Sequence, residues 1–144
     1  MIVIASDHAG YSLKEAVKKH LEEKNIEYKD MGTNSTESVD YPEYAHKLCC
    51  EIQEGRAEKG ILVCGTGIGM SMVANKHKGI RAACVSDTFS ATATRQHNDA
   101  NVICFGERVV GQGLAFQLVD AFLETEYEGG RHQRRVDLVN SYDN

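Results

Sequence analysis

The chain has 144 residues, 42% of them hydrophobic and 26% charged, enough for one well-packed domain over residues 1–144 and too little for two ordinary ones. Its formal net charge of -5 excludes a general polyanion-binding surface, so no nucleic-acid partner is expected, although a local group of arginines could still grip a phosphate. The opening MIVIASDHAG carries no basic leader and no stretch approaches the roughly 18 apolar residues of a membrane span, so neither export nor a membrane is expected.

Short β-branched runs alternate with longer helical patterns along the chain. The strand candidates are IVIAS (2–6), IEYK (26–29), ILVC (61–64), RAACV (81–85) and VICF (102–105). After the first of these, Ser12 and Glu15 have capping-box spacing, and Leu13, Ala16, Val17 and Leu21 mark the apolar face of a helix. GTNSTESVD (32–40) reads as a surface loop long enough to carry function. Asp40 and Glu43 then repeat the start signal, with the only proline, Pro42, in the first turn, where its missing N–H does no harm. Helices are also predicted after Gly69, Asp87 and Gly111, and in the polar segment from about Arg131. Short apolar strands separated by helices pair in parallel through right-handed crossovers. The predicted fold is therefore a Rossmann-like α/β/α sandwich of three layers around a five-stranded parallel sheet, with the strand order left open.

In open parallel sheets ligands bind beyond the carboxyl ends of the strands. Those ends hold Asp7 and His8, then Cys64 with its glycine loop, then Asp87, then Gly106, Glu107 and Arg108. The loop Gly65-Thr66-Gly67-Ile68-Gly69 leads into a helix and would aim backbone N–H groups at an anion. It lacks the lysine of a P-loop, and Met70 and Ser71 break the dinucleotide pattern. Taken alone, it is equally a tight strand-to-helix turn. The adjacent thiol adds chemistry, because a helix N-terminus favours the thiolate form of a cysteine, a usable base or nucleophile.

The remaining candidates each have a plainer reading. Asp7-His8 could be a helix-start aspartate beside a surface histidine, and His97-Asn98 a polar helix end. Arg131 and Arg135, four apart, share a helical face suited to one phosphate, or form an exposed basic tail. The five cysteines, at 49, 50, 64, 84 and 104, are odd in number and mostly lie in apolar runs, which suits reduced thiols in a cytoplasm better than a disulfide framework. Cys84 and Cys104 are read as inert buried residues. No CxxC or His/Cys cluster has zinc-site spacing, so no metal is expected. Together these groups describe a site for a phosphorylated substrate that develops an oxyanion beside Cys64.

Eight blocks sharpen this. SDHAG (6–10), DYP (40–42), CGTGIG (64–69), ANK (74–76), GIRA (79–82), RQHNDANV (95–102), FGERVVG (105–111) and YEGGRHQRRV (127–136) resemble, in order and spacing, the type B ribose-5-phosphate isomerases of the ribose/galactose isomerase superfamily. The resemblance implies a five-stranded α/β/α fold and a homodimer or tetramer of dimers with shared sites. It also implies an aldose-ketose isomerisation of D-ribose 5-phosphate and D-ribulose 5-phosphate without metal or cofactor. By the same resemblance Cys64 is the base, His97 the acid that opens the sugar ring with Asp7 assisting, and residues Gly65, Thr66, Gly67, Ile68 and Gly69 hold the enediolate, with Thr66 shuttling its proton. Asn98 contacts a sugar hydroxyl, and Arg108, Arg131, Arg135 and His8 cradle the phosphate. The galactose-6-phosphate isomerase subunits share CGTGxG but typically lack GGRHQRRV, and a six-carbon aldose phosphate such as allose 6-phosphate stays open as a substrate.

Two other classes compete. A nucleotide-binding module would use the glycine loop for phosphate and Asp87 for ribose, yet a dinucleotide fingerprint belongs to the first strand-to-helix turn, here SDHAG. A thiol redox protein would need a resolving cysteine near Cys64, and none is close in sequence. A site shared between subunits is expected partly because the polar C-terminal segment has little apolar surface to fold back on its own sheet.

Overall fold

The computed structural model describes residues 1–144. The elements follow in the order β1 (Ile2–Ser6), α1 (Tyr11–Glu23), β2 (Tyr28–Asp30), α2 (Tyr41–Gln53), β3 (Lys59–Cys64) and α3 (Ile68–Ala74). They continue as β4 (Ala82–Cys84), α4 (Thr88–Asn98), β5 (Val102–Gly106) and α5 (Gln112–Glu124), then a 3-10 turn (Gly130–His132) and α6 (Gln133–Ser141). All neighbouring strands are parallel, and their order is β2-β1-β3-β5-β4. The α/β/α sandwich on a five-stranded parallel sheet is thus present, with strand ends within about two residues of those predicted.

Alternation along the buried strands sends successive side chains to two separate cores. Ile4, Ile61, Val63, Ile103 and Phe105 meet Leu13, Val17 and Leu21 of α1, Ala91 of α4, and Leu118 and Phe122 of α5. On the other face Val3, Ala5, Leu62, Cys64 and Cys104 meet Ala45 and Leu48 of α2 and Met70 of α3. No helix is long and apolar enough to cross a membrane.

Several local expectations are corrected. Gly10, not Ser12, is the N-cap of α1, so the Ser12/Glu15 box does not form; Leu13 N instead donates to Oε1 of Glu107 at 2.6 Å. The face of α1 also includes Lys14, fully buried, whose Nζ donates to Asp30 and to the Thr33 carbonyl. Helix α3 starts at Ile68 with Gly67 as its N-cap, earlier than predicted. Asp40 does precede α2, but its side chain makes no cap hydrogen bond. The C-terminal segment does fold back, held by buried Val136 and by polar ties: Arg81 Nη1 donates to Asn140 and Gly79 N to Asp143.

Candidate active site

The strand order reverses direction between β1 and β3, because β1 has β2 on one flank and β3 on the other. That switch point opens a crevice at the carboxyl ends of the two strands, and the chain after each strand turns into it. Asp7 is 6% exposed, its Oδ1 accepting the Gly10 N–H at 3.0 Å. His8 accepts the Val39 N–H on Nδ1 at 3.1 Å, so in the neutral ring the proton resides on Nε2. The loop 32–40 therefore orients this imidazole.

Cys64 ends β3 almost fully buried, and Gly67 N donates to its Sγ at 3.0 Å. This turn requires glycine. Gly67 has φ +83°, and a Cβ there would stand 2.8 Å from the Phe105 backbone. A Cβ on Gly106 would strike the Gly65 carbonyl and Thr66. Thr66 Oγ1 accepts the Ile68 N–H at 3.2 Å. Arg108 N donates to Gly65 O at 3.1 Å, and its exposed guanidinium lies along Gly65 with no carboxylate partner. Asp7, His8, the Cys64 loop and Arg108 thus gather at one edge of the sheet.

The other candidates do not join them within the chain. Helix α4 begins after β4 and ends just before β5, which carries His97 and Asn98 to the opposite, amino-terminal ends of these strands. Arg81, immediately before β4, fixes that corner by donating to Asn98 O at 3.0 Å and Asp99 O at 2.8 Å. A cleft of about 830 Å³ is lined there by Arg81, His97, Asn98, Arg131, His132 and Arg135. The His97 and His132 rings stack with centroids 4.5 Å apart, and Nε2 of His132 lies 3.2 Å from Glu128. Arg135 donates to Arg131 O at 3.4 Å, so both arginines reach the same space, and neither has a carboxylate partner.

His97, Glu128 and His132 bring donor atoms within 4.8 Å of one another and could hold a cation. The two unpaired arginines beside them make the cleft electropositive, which suits an anion better. Glu128 and His132 were missed in the sequence because Glu128 lies in irregular chain just before the 3-10 turn that carries His132, so no helical period pairs them. Asp87 caps α4 by accepting the Ser90 N–H at 2.7 Å, which removes the carboxylate a nucleotide-binding reading assigned to ribose. Cys84 departs from its predicted burial: it is exposed, and its thiol lies 3.7 Å from the Thr66 carbonyl. Cys104 is fully buried, and burial pushes its thiol well up.

The α/β/α fold thus presents a thiol held by a loop N–H at a switch-point crevice and, apart from it, a cleft lined by a histidine pair and two arginines without carboxylate partners. The Ribose/Galactose Isomerase family profile matches residues 2–139, and the chain belongs to that family. It is 49% identical over 138 residues to ribose-5-phosphate isomerase B of Escherichia coli, covering 96% of this chain and 93% of that one. A ribose 5-phosphate isomerase from Thermotoga maritima superposes with a TM-score of 0.95 at 50% identity, covering 97% of both chains. Ribose-5-phosphate isomerase B from Mycoplasma genitalium, solved with bound ribulose-5-phosphate, superposes with a TM-score of 0.93 at 42% identity, covering 98% of this chain and 94% of that one.

Proposed function

We propose that the chain is an aldose-ketose isomerase that interconverts D-ribose 5-phosphate and D-ribulose 5-phosphate, without metal or cofactor, at sites completed by a second copy of itself. The observation that carries the reading is Cys64, presented at the end of β3 with the Gly67 N–H on its sulfur, in a family of sugar isomerases. His97 of one copy, with Asp7 of the other, opens the furanose ring by protonating the ring oxygen as the C1 hydroxyl loses its proton. The Cys64 thiolate then removes the C2 proton, and the C–H electron pair becomes the C1–C2 double bond while O1 takes the negative charge. Backbone N–H groups of residues 65–69 hold that enediolate, and Thr66 moves the hydroxyl proton between O2 and O1. The thiol returns its proton to C1, which gives the ketose with every atom conserved. Asn98 contacts a sugar hydroxyl. Arg131 and Arg135 from one copy, with His8 and Arg108 from the other, hold the phosphate.

Two features support the shared arrangement. The Cys64 half and the His97 half lie at opposite ends of the sheet, so one chain offers two incomplete sites. Large apolar side chains also remain in solvent, including Ile68 (50% exposed), Met72 (62%), Phe89 (80%) and Val109 (57%), as an interface between copies would use them. A two-fold axis would join each half to its complement twice.

The test follows ketose formation from ribose 5-phosphate, comparing the parent with Cys64→Ser. A hydroxyl keeps the shape but is a far poorer base at neutral pH, so kcat falls by at least roughly a hundredfold with KM nearly unchanged. A parent that forms no ketose overturns the activity. Near-parental turnover in the variant overturns the role of Cys64 alone.

A further inference from the structure

The first turn of α2 packs against both loops of the Cys64 half-site. The three nearest atoms that a Cβ on Gly69 would meet all belong to the Tyr41 ring: Cε1 at 2.6 Å, Cζ at 2.7 Å and Oη at 2.9 Å. Three residues on, the Tyr44 ring lies the same way against Gly32, its Cε1 2.9 Å from where a Cβ would stand. Residues three apart share a helical face, so one face of α2 abuts two loops. Gly69 belongs to the segment that follows Cys64, and Gly32 roots the loop whose Val39 N–H holds His8. Tyr41 is 40% exposed, so its ring lies on the loop rather than in the core.

The backbone does not demand glycine at position 69. Gly69 lies within α3 and has no positive φ, unlike Gly67 at +83°. Alanine is the better helix former at such a position. The Tyr41 ring supplies the reason for glycine, because it fills the space in which a side chain would begin.

We propose that Tyr41 is a positioning residue for the isomerisation, its ring the backstop that sets where residues 65–69 stand relative to Cys64 and His8. This role rests on the proposed chemistry at Cys64. Gly67 N reaches the Cys64 sulfur at 3.0 Å, and the N–H groups that hold the enediolate come from the same five residues. A shift of the loop therefore misplaces those donors against the reacting carbons, and rate falls steeply with such misplacement. Binding depends on the loop less, because the phosphate is gripped by His8 and Arg108 with Arg131 and Arg135 of the second copy. The ring performs this role without its hydroxyl.

Initial rates of ketose formation from ribose 5-phosphate test the role in four variants. Tyr41→Ala should lower kcat roughly tenfold with KM within about twofold of the parent, whereas Tyr41→Phe, which keeps the ring, should stay within about twofold in both. Gly69→Ala must displace the ring and should lower kcat as Tyr41→Ala does. The double variant should be no slower than Tyr41→Ala, because one change removes the ring that the other displaces. Urea midpoints give a readout apart from activity: Gly69→Ala should raise the midpoint more in the Tyr41→Ala background than in the parent, where displacing the ring offsets the gain in helix propensity. Parental kcat in Tyr41→Ala, a Tyr41→Phe as slow as Tyr41→Ala, losses that multiply in the double variant, or equal midpoint shifts in the two backgrounds overturn the proposal. A Tyr41→Ala loss that tracks separation of the copies in sedimentation does so too. A parent that forms no ketose overturns the isomerase reading and this role together, while an active parent with uncoupled variants overturns the role alone.

Discussion

Glu107 Oε1 accepts the backbone N–H of Leu13 at 2.6 Å, so the residue just after β5 caps the helix that follows β1. This carboxylate satisfies one of the unpaired N–H groups in the first turn of α1, where the helix dipole favours negative charge. It also ties two strand-end segments of the Cys64 half-site together across 94 residues of sequence. Glu107→Ala should cost about 1 kcal/mol, read as a lower urea midpoint at unchanged slope. Glu15→Ala, which removes a part-exposed pair with Lys18 and a long 3.8 Å contact with Lys14, should cost less, about 0.5 kcal/mol. The reverse ranking would restore the Ser12/Glu15 box as the operative cap.

Lys14 is fully buried and donates to both oxygens of Asp30, at 2.7 and 2.8 Å, and to Thr33 O at 2.7 Å. Asp30→Asn leaves an ammonium without its counter-charge in the interior and should cost about 3–5 kcal/mol. Burial works against charge on Asp30, but hydrogen bonds from Lys14, Lys18 and the Gly32 N–H outweigh it and hold its carboxyl below the ordinary range. A carboxyl lowered on folding stabilises above its unfolded value, and that contribution disappears as the pH falls through the folded value. Melting temperature should therefore drop on acidification less steeply in Asp30→Asn than in the parent. Parallel acid limbs would show that other carboxylates govern that loss.

The legible parts of this molecule were those with local periodicity or local chemistry. IVIAS, ILVC and VICF announced strands because both sheet faces are covered, which demands unbroken apolar runs. CGTGIG announced the loop because at Gly67 only glycine survives the close approach of the Phe105 backbone. Lys14 was invisible because its partners, Asp30 and the Thr33 carbonyl, lie 16 and 19 residues away, and a lysine on an otherwise apolar face reads as a solvated edge. Cys84 misled for the opposite reason. RAACV looks like a central strand, but β4 is an edge strand of three residues and leaves its last side chain outside.

The five cysteines are free and sit in contrasting surroundings, so alkylation of the native chain should sort them. Cys49, whose thiol burial pushes up to about 12, and Cys104, which burial pushes well up, should remain unmodified at pH 8 until the chain unfolds. Exposed Cys84 and half-buried Cys50 should react first. Peptide mass spectrometry after timed quenching reads the order. Early labelling of Cys104 would mean that the sheet opens locally at β5 under native conditions.

A shared site makes a quantitative prediction that an intrachain site cannot match. Cys64 and Arg131 belong to different halves: one ends β3 at the carboxyl edge, the other lies in the 3-10 turn lining the opposite cleft. Cys64→Ala removes the base and Arg131→Ala weakens the phosphate cradle, so each variant alone should be nearly inactive. Equal amounts, unfolded and refolded together, should pair at random, and half of the dimers would hold one chain of each kind. In such a dimer one site carries both defects and the other carries neither. The mixture should therefore recover about a quarter of the parental activity per chain. Native mass spectrometry of chains labelled with different isotopes checks that mixed dimers have formed. Mixed dimers without recovered activity would place Cys64 and Arg131 in the same chain's site, and would require α4 and α6 to leave the positions that Arg81, Asn98 and Asn140 now hold together.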